Sequence, residues 1–211
     1  EVLATAGFPA GHDYMTFVGE HADGAPVTVC RTGYTGERGY ELVVPAGAAM
    51  AVWDAVLAAG EAYGLQPAGL GARDTLRTEM GYALHGQDIS PAITPVQARL
   101  GWAVGWKKES FFGADALRAE KLLGPARLLR GLRATGRGIP RPGMTVRGSD
   151  GHQVGTVTSG TFSPTLKIGI ALAMIESGLG DDDVVSVDIR GREEPFMITK
   201  PPFVTPGVRE A

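Results

Sequence analysis

Cysteine is almost missing: Cys30 is the single one in 211 residues. It cannot close an intramolecular disulfide, and alone it cannot make a zinc site, which points to a reducing, cytoplasmic compartment. No apolar run approaches the roughly 20 residues that cross a bilayer, so no membrane partner is expected. A surplus of positive charge is lacking too. With 20 Lys and Arg against 23 Asp and Glu, the net charge is -3, which leaves no footprint for nucleic acid. Local basic spots at Arg127–Arg133 and Arg137–Arg141 could still hold a small anion. The four histidines, His12, His21, His85 and His152, have no metal-ligand spacing. No metal is expected, and each reads as a surface or satisfied imidazole. The start, Glu1-Val2-Leu3-Ala4, lacks an initiator methionine and a signal peptide's basic flank. It reads as the beginning of a truncated product.

What remains is ordinary globular material, 44% apolar and 20% charged. A chain this long can bury about 70% of its unfolded surface. The first stretch reads as a β-meander. Tyr14–Val18 and Pro26–Cys30 flank the turn-forming Ala22-Asp23-Gly24, and Tyr40–Val44 follows a glycine-rich segment, Gly33–Gly39. From Ala46 to about Ala59 the period becomes helical, with Ala49, Val52, Trp53, Val56 and Leu57 as the apolar stripe. A second helix is predicted over about 71–82, with Leu76 and Met80 inward. Residues 85–101 look loop-rich. A short strand at Trp102–Trp106 and a helix at Gly113–Leu123 come next, ended by Gly124-Pro125. Beyond residue 126, short β-rich runs recur at Leu128–Leu132, Met144–Val146, Gln153–Thr158, Ile168–Met174, Val184–Ile189 and Phe196–Thr199. Strands without intervening helices suggest a small barrel or sandwich. The fold class is therefore α+β: an antiparallel sheet with helices over 1–125, then an all-β domain over 126–211.

Several motifs fail on chemistry. Gly69-Leu70-Gly71 opens like a dinucleotide fingerprint, but Asp74 stands at the third glycine position and no clear strand precedes it. Gly33–Gly39 is not followed by Gly-Lys-Ser/Thr, so it is no P-loop and reads as a hairpin connection. Asp181-Asp182-Asp183 lacks an EF-hand pattern and reads as a solvated turn. Thr158-Ser159-Gly160-Thr161 is no nucleophile elbow.

Three strings, in order, carry a resemblance. They are Arg31-Thr32-Gly33-Tyr34-Thr35-Gly36-Glu37-Arg38-Gly39-Tyr40-Glu41-Leu42; Ala68–Arg77 continuing to Leu84-His85-Gly86-Gln87-Asp88; and Gly155–Leu166. A closing Lys200-Pro201-Pro202-Phe203-Val204 joins them. Together they resemble the glycine cleavage T-protein family. The resemblance implies two α+β domains and a C-terminal β-barrel around a folate cavity. It also implies an aminomethyltransferase that uses tetrahydrofolate and a lipoyl-carrying H-protein, releases ammonia and yields 5,10-methylenetetrahydrofolate.

The resemblance places Glu41 at the family's pterin-binding glutamate. A carboxylate's two acceptor oxygens suit the pterin's amide N–H and exocyclic amine. Strand alternation puts Glu41 and Val43 on one face and Tyr40, Leu42 and Val44 on the other. Arg73 matches an arginine that contacts folate or substrate, and a guanidinium fork fits the glutamyl carboxylates. Tyr34 and Trp102 match cavity-lining aromatics, and Arg141 another arginine near the ligand. Arg77 reads as a structural arginine. His85 stands where the family has tyrosine. The family's proposed catalytic aspartate lies in an N-terminal part with no counterpart here, and Asp74 and Asp88 have their own family positions. No catalytic acid or base is named. The chain alone is therefore expected to turn over poorly and to associate through exposed apolar surface. Alternative readings are the folate module of a dimethylglycine or sarcosine dehydrogenase, a non-catalytic folate-binding relative, and a β-barrel interaction module without folate.

Overall fold

The computed structural model describes residues 1–22 and 24–208. The chain forms two compact units, Glu1–Arg73 joined by the segment that begins at Pro206, and Asp74–Thr205.

In the first unit a short helix α1 (Val2–Thr5) precedes β1 (Phe17–Ala22), β2 (Ala25–Cys30) and β3 (Glu41–Val43), an antiparallel meander in that spatial order. The first strand begins at Phe17 rather than Tyr14 and runs on to Ala22. Its register, Phe17↔Cys30 through Ala22↔Ala25, leaves only positions 23 and 24 for the turn. Of the predicted turn residues, Asp23 lies outside the described residues, while Gly24 has φ 80°, which glycine adopts without steric penalty. Alternation decides the faces. Val27 and Val29 are buried with Phe8 and Val52, and Tyr40, Leu42 and Val44 pack against them. Glu41 and Val43 point the other way and are exposed. The helix α2 (Ala49–Gly60) follows a 3-10 turn at 46–48. Val52 is buried and Val56 packs beside it, but Trp53, predicted on the apolar stripe, is half exposed. One residue is a step of about 100° around a helix, enough to move Trp53 off a contact face set by Val52 and Val56.

The helix α3 (Leu70–Glu79) carries the chain into the second unit. It stops earlier than predicted, and Gly81 then takes φ 68°. The strand predicted at Trp102–Trp106 is absent. A 3-10 turn occupies 101–103, Trp106 N–H donates to Val104 O at 2.9 Å, and its indole N–H donates to Gly101 O at 2.6 Å. Those bonds curl the segment on itself, so alternating aromatics here do not reflect a pleated strand. The helix α4 (Ala114–Leu123) lies between Gly113, at φ 79°, and Gly124, at φ 84°.

Six antiparallel strands then close into a barrel: β4 (Arg127–Ala134), β5 (Thr145–Arg147), β6 (Gln153–Ser163), β7 (Ile168–Glu176), β8 (Val184–Asp188) and β9 (Glu193–Thr199), ordered β4-β7-β6-β5-β8-β9 with β9 returning to β4. Barrel rather than sandwich is the observed outcome. Its interior holds Leu132, Val146, Val157, Ile175, Phe196 and Ile198. The run of β7 is buried on both faces, because Leu172 and Met174 on its outer side pack with Leu129, Ile93 and Phe203. No described helix is long and apolar enough to cross a membrane.

Phe196 is fully buried in the barrel interior. Phe196→Ala is expected to lower unfolding free energy by about 3–5 kcal/mol, measured by urea denaturation. A loss below about 1 kcal/mol would contradict its place in a close-packed core.

Candidate functional site

Of the residues singled out for folate, three lie in the first unit. Glu41 opens β3 opposite Cys30 in the ladder. Its side chain is exposed, and Thr32 Oγ1 donates to its Oε2. That bond occupies one of the carboxylate's roughly four lone-pair positions, so it orients a group that can accept further donors. Tyr34 and Arg73 meet each other: the guanidinium carbon stands 4.4 Å from the ring centroid. That is a cation–π stack, in which a planar cation keeps its edge donors available.

The same unit holds an arrangement that the motif reading did not separate out. Arg31 is only 5% exposed. Its guanidinium donates to Gly39 O at 3.1 Å and to Val208 O at 3.0 Å. It also faces the rings of Tyr40 at 5.2 Å and Tyr14 at 6.0 Å. His12 packs against Tyr40 with centroids 5.4 Å apart. Both of its ring nitrogens are buried without a hydrogen-bond partner among the described residues, so it is neither the surface nor the satisfied imidazole expected. A separate cleft of about 640 Å³ is lined mainly by small residues of α2 and the preceding turn, with Phe8 and His21. Glu41, Tyr34 and Arg73 are not on its wall.

Trp102 and Arg141 belong to the second unit and line different clefts there. Trp102 is 83% exposed, on a cleft of about 560 Å³ with Trp106, Arg99 and Lys121. The Lys121 ammonium lies 4.2 Å from a Trp106 ring centroid. Arg141 donates to Gly160 O at 3.2 Å and Pro140 O at 3.3 Å. It borders a cleft of about 580 Å³ with Arg137, Arg190, Arg192 and Glu194. The basic spot read at Arg137–Arg141 thus gains two arginines from the β8–β9 turn, where Arg190 has φ 57°. Four guanidinium groups around one carboxylate favour an anion.

Arg77 proves structural, as predicted, but it is buried rather than lying on the helix surface. All five of its N–H donors are engaged. Nε and Nη2 reach Asp74 Oδ1 at 2.8 and 2.6 Å, Nη1 reaches Asp88 Oδ2 at 2.7 Å and Tyr82 O at 3.1 Å, and Nη2 also reaches Ser159 Oγ at 2.8 Å. Asp88, fully buried, further accepts from Leu84 N–H at 2.8 Å and from Thr158 Oγ1 at 2.5 Å. Two residues past Arg77, the buried Glu79 accepts from Ser163 Oγ and, at 3.1 Å, from Thr165 Oγ1. The second and third sequence strings therefore meet in one polar seam, and Ser159 is occupied there as a hydrogen-bond partner. The acidic run at 181–183 is also accounted for: Asp183 accepts from Gly180 N–H at 2.8 Å and Asp181 pairs with Arg130 at 3.3 Å. Among the described residues no three His, Cys, Asp or Glu gather in a metal-binding group.

Two family models match the chain. The GCVT N-terminal domain covers residues 4–108, and the glycine cleavage T-protein C-terminal barrel domain covers residues 127–205. Among curated proteins, an aminomethyltransferase of Frankia alni is 61% identical over 203 residues, which is 96% of this chain and 56% of that protein. One of Mycobacterium tuberculosis is 57% identical over 206 residues, 97% of this chain and 56% of that protein. The crystal structure of the glycine cleavage system aminomethyltransferase T from Bartonella henselae superposes with TM-score 0.89 at 34% identity, covering 98% of this chain and 57% of that one. The chain thus spans little more than half the length of the relatives it matches.

The seam yields a measurable consequence. Arg77→Met would leave the buried Asp88 carboxylate without its cation and is expected to cost about 3–5 kcal/mol of stability. In a double-mutant cycle with Asp88→Asn, the two losses should fall short of additive by about 0.5–3 kcal/mol. Strictly additive losses in chemical denaturation would show that the pair is not coupled.

Proposed function

The chain belongs to the glycine cleavage T-protein family, and on that premise we propose that it serves an aminomethyltransferase reaction. In this reading an aminomethyl group on the dihydrolipoyl arm of an H-protein gives up its methylene carbon to tetrahydrofolate. The carbon–sulfur and carbon–amine bonds break, two carbon–nitrogen bonds form, and the two protons released go to the lipoyl sulfur and to departing ammonia. The product is 5,10-methylenetetrahydrofolate. A cytoplasmic setting belongs to the same proposal, in keeping with the lone cysteine.

The observation that supports it most is Glu41, an exposed carboxylate oriented by Thr32 within the first family string. Its acceptors fit the paired donors of a pterin edge, and an ionised acceptor roughly doubles the strength of each such bond. Tyr34 and Arg73, stacked in the same unit, offer a flat face to a conjugated ring and a fork to a carboxylate. Tetrahydrofolate, when bound, supplies the amine nitrogens that take up the methylene carbon. The residues named here bind and orient. Glu41 holds the pterin edge, Arg73 an anionic group of the same ligand, and Trp102 and Arg141 are further candidates for contact. Such positioning converts a bimolecular encounter into an ordered reaction and can supply several kcal/mol of the rate enhancement. None of them is assigned the proton transfers.

Titration of a tetrahydrofolate derivative into the protein tests this reading. Glu41→Ala removes a charged acceptor and should weaken binding by about 1.5–3 kcal/mol. Glu41→Gln, which keeps one acceptor oxygen, should lose less. Affinities unchanged in both variants would take Glu41 out of the site.

A further inference from the structure

We propose that Arg31 is a positioning residue, a buried staple that sets the loop from Thr32 to Gly39 and thereby the posture of Tyr34 and Glu41. The proposal rests on the folate reading for its functional consequence, but not for its geometry.

The loop needs such a device. It joins β2 to β3 through Gly33, Gly36 and Gly39, and Gly36 stands at φ 78°. Glycine permits more backbone states than any other residue, so a segment this rich in it keeps one shape only where something outside holds it. Ladder pairing stops at Cys30↔Glu41. One residue inside that pair, the Arg31 guanidinium crosses the base of the loop to Gly39 O at 3.1 Å. The same fork reaches Val208 O at 3.0 Å, and Gly207 N–H donates to Gly36 O at 2.8 Å. Loop, arginine and C-terminal segment are therefore joined at three points. Arg31 is itself held by its backbone, with its N–H on Thr16 O at 2.9 Å and its O accepting from Met15 N–H at 3.1 Å.

Energetics argue that this cation is kept for direction rather than for stability. Among the described residues its guanidinium has no carboxylate partner; it meets two carbonyls and the faces of Tyr14 and Tyr40. A buried charge so placed bears a desolvation penalty of several kcal/mol that neutral acceptors and ring faces offset only in part. An apolar side chain of similar length would fill the volume without that penalty. What it would lose is a rigid planar fork able to address two carbonyls on two different segments. The loop so fastened bears Tyr34, which stacks under Arg73, and Thr32, which orients Glu41.

The test compares wild type with Arg31→Met in three measurements: stability by denaturation, amide hydrogen exchange of residues 32–40 and 207, and affinity for a tetrahydrofolate derivative. The expected result is near-normal stability, exchange of the loop amides faster by an order of magnitude or more, and affinity lower by about tenfold or more. Unchanged exchange overturns the staple whatever happens to folate. Faster exchange with undiminished affinity overturns its role in positioning. If wild type itself binds no folate, the functional reading fails while exchange still decides the staple. Should Arg31→Met not fold, Arg31→Lys, which keeps the charge but gives up the planar fork that addresses two carbonyls, decides by the same exchange and affinity readouts.

Discussion

The architecture of the second unit turns on one guanidinium. Arg77 sits where water cannot reach it, and each of its N–H groups has found an acceptor on Asp74, Tyr82, Asp88 or Ser159. Removing two such ions from water costs several kcal/mol apiece, and attraction alone does not guarantee repayment. Full hydrogen bonding makes the arrangement tolerable, because a half-satisfied buried network is worse than an apolar one. The result is directional. Apolar packing would let the Asp74–Glu79 end of α3 slide along β6, whereas Asp88 held by Thr158 and Glu79 held by Ser163 fix both rotation and register. Residues far apart in the chain, such as Arg77 and Ser159, 82 positions apart, or Glu79 and Ser163, 84 apart, are two halves of one seam. Polar residues that look like candidate chemistry in a linear reading can thus be architecture.

Legibility in the sequence follows the range of the forces involved. The α2 and α4 helices and all six barrel strands are readable from period and punctuation, because local hydrophobic spacing and glycine conformations decide them. The face on which Glu41 stands is readable for the same reason, since Leu42 must go toward Val27 and Val29. Trp102–Trp106 misleads because its alternation imitates a strand, while an indole bond to Gly101 and a neighbouring glycine bend it into turns. The burial of Arg77 is invisible to local pattern. Its partners Asp88 and Ser159 lie 11 and 82 positions away, and nothing within a helical turn announces them. Barrel against sandwich is likewise settled only by the closing pair β4–β9.

The candidate ligand residues obey a different rule. Where Arg77 and Asp88 are saturated, Glu41 and Arg73 are oriented with capacity to spare: one is held by Thr32, the other rests on the face of Tyr34. A side chain that must greet a ligand cannot be fully satisfied beforehand, since every bond it already makes must be broken or shared. It also cannot be free to wander, since ordering it on binding costs entropy. A single tether to a neighbour on the same strand connection meets both demands.

That division explains why exposure of Glu41 does not weigh against a binding role. An accepting carboxylate is exposed until its donor partner arrives, and burying it in advance without partners would raise its free energy steeply. The relevant question is whether its direction is set before binding, and the setting passes through the backbone. Thr32 reaches Glu41 only while the loop between them keeps its shape, and Arg31 and the Gly36–Gly207 bond fasten that glycine-rich loop from outside it. Pre-organisation of an exposed residue is therefore delegated to a buried one, which explains why an arginine that touches no proposed ligand group sits at the start of the string that names the family.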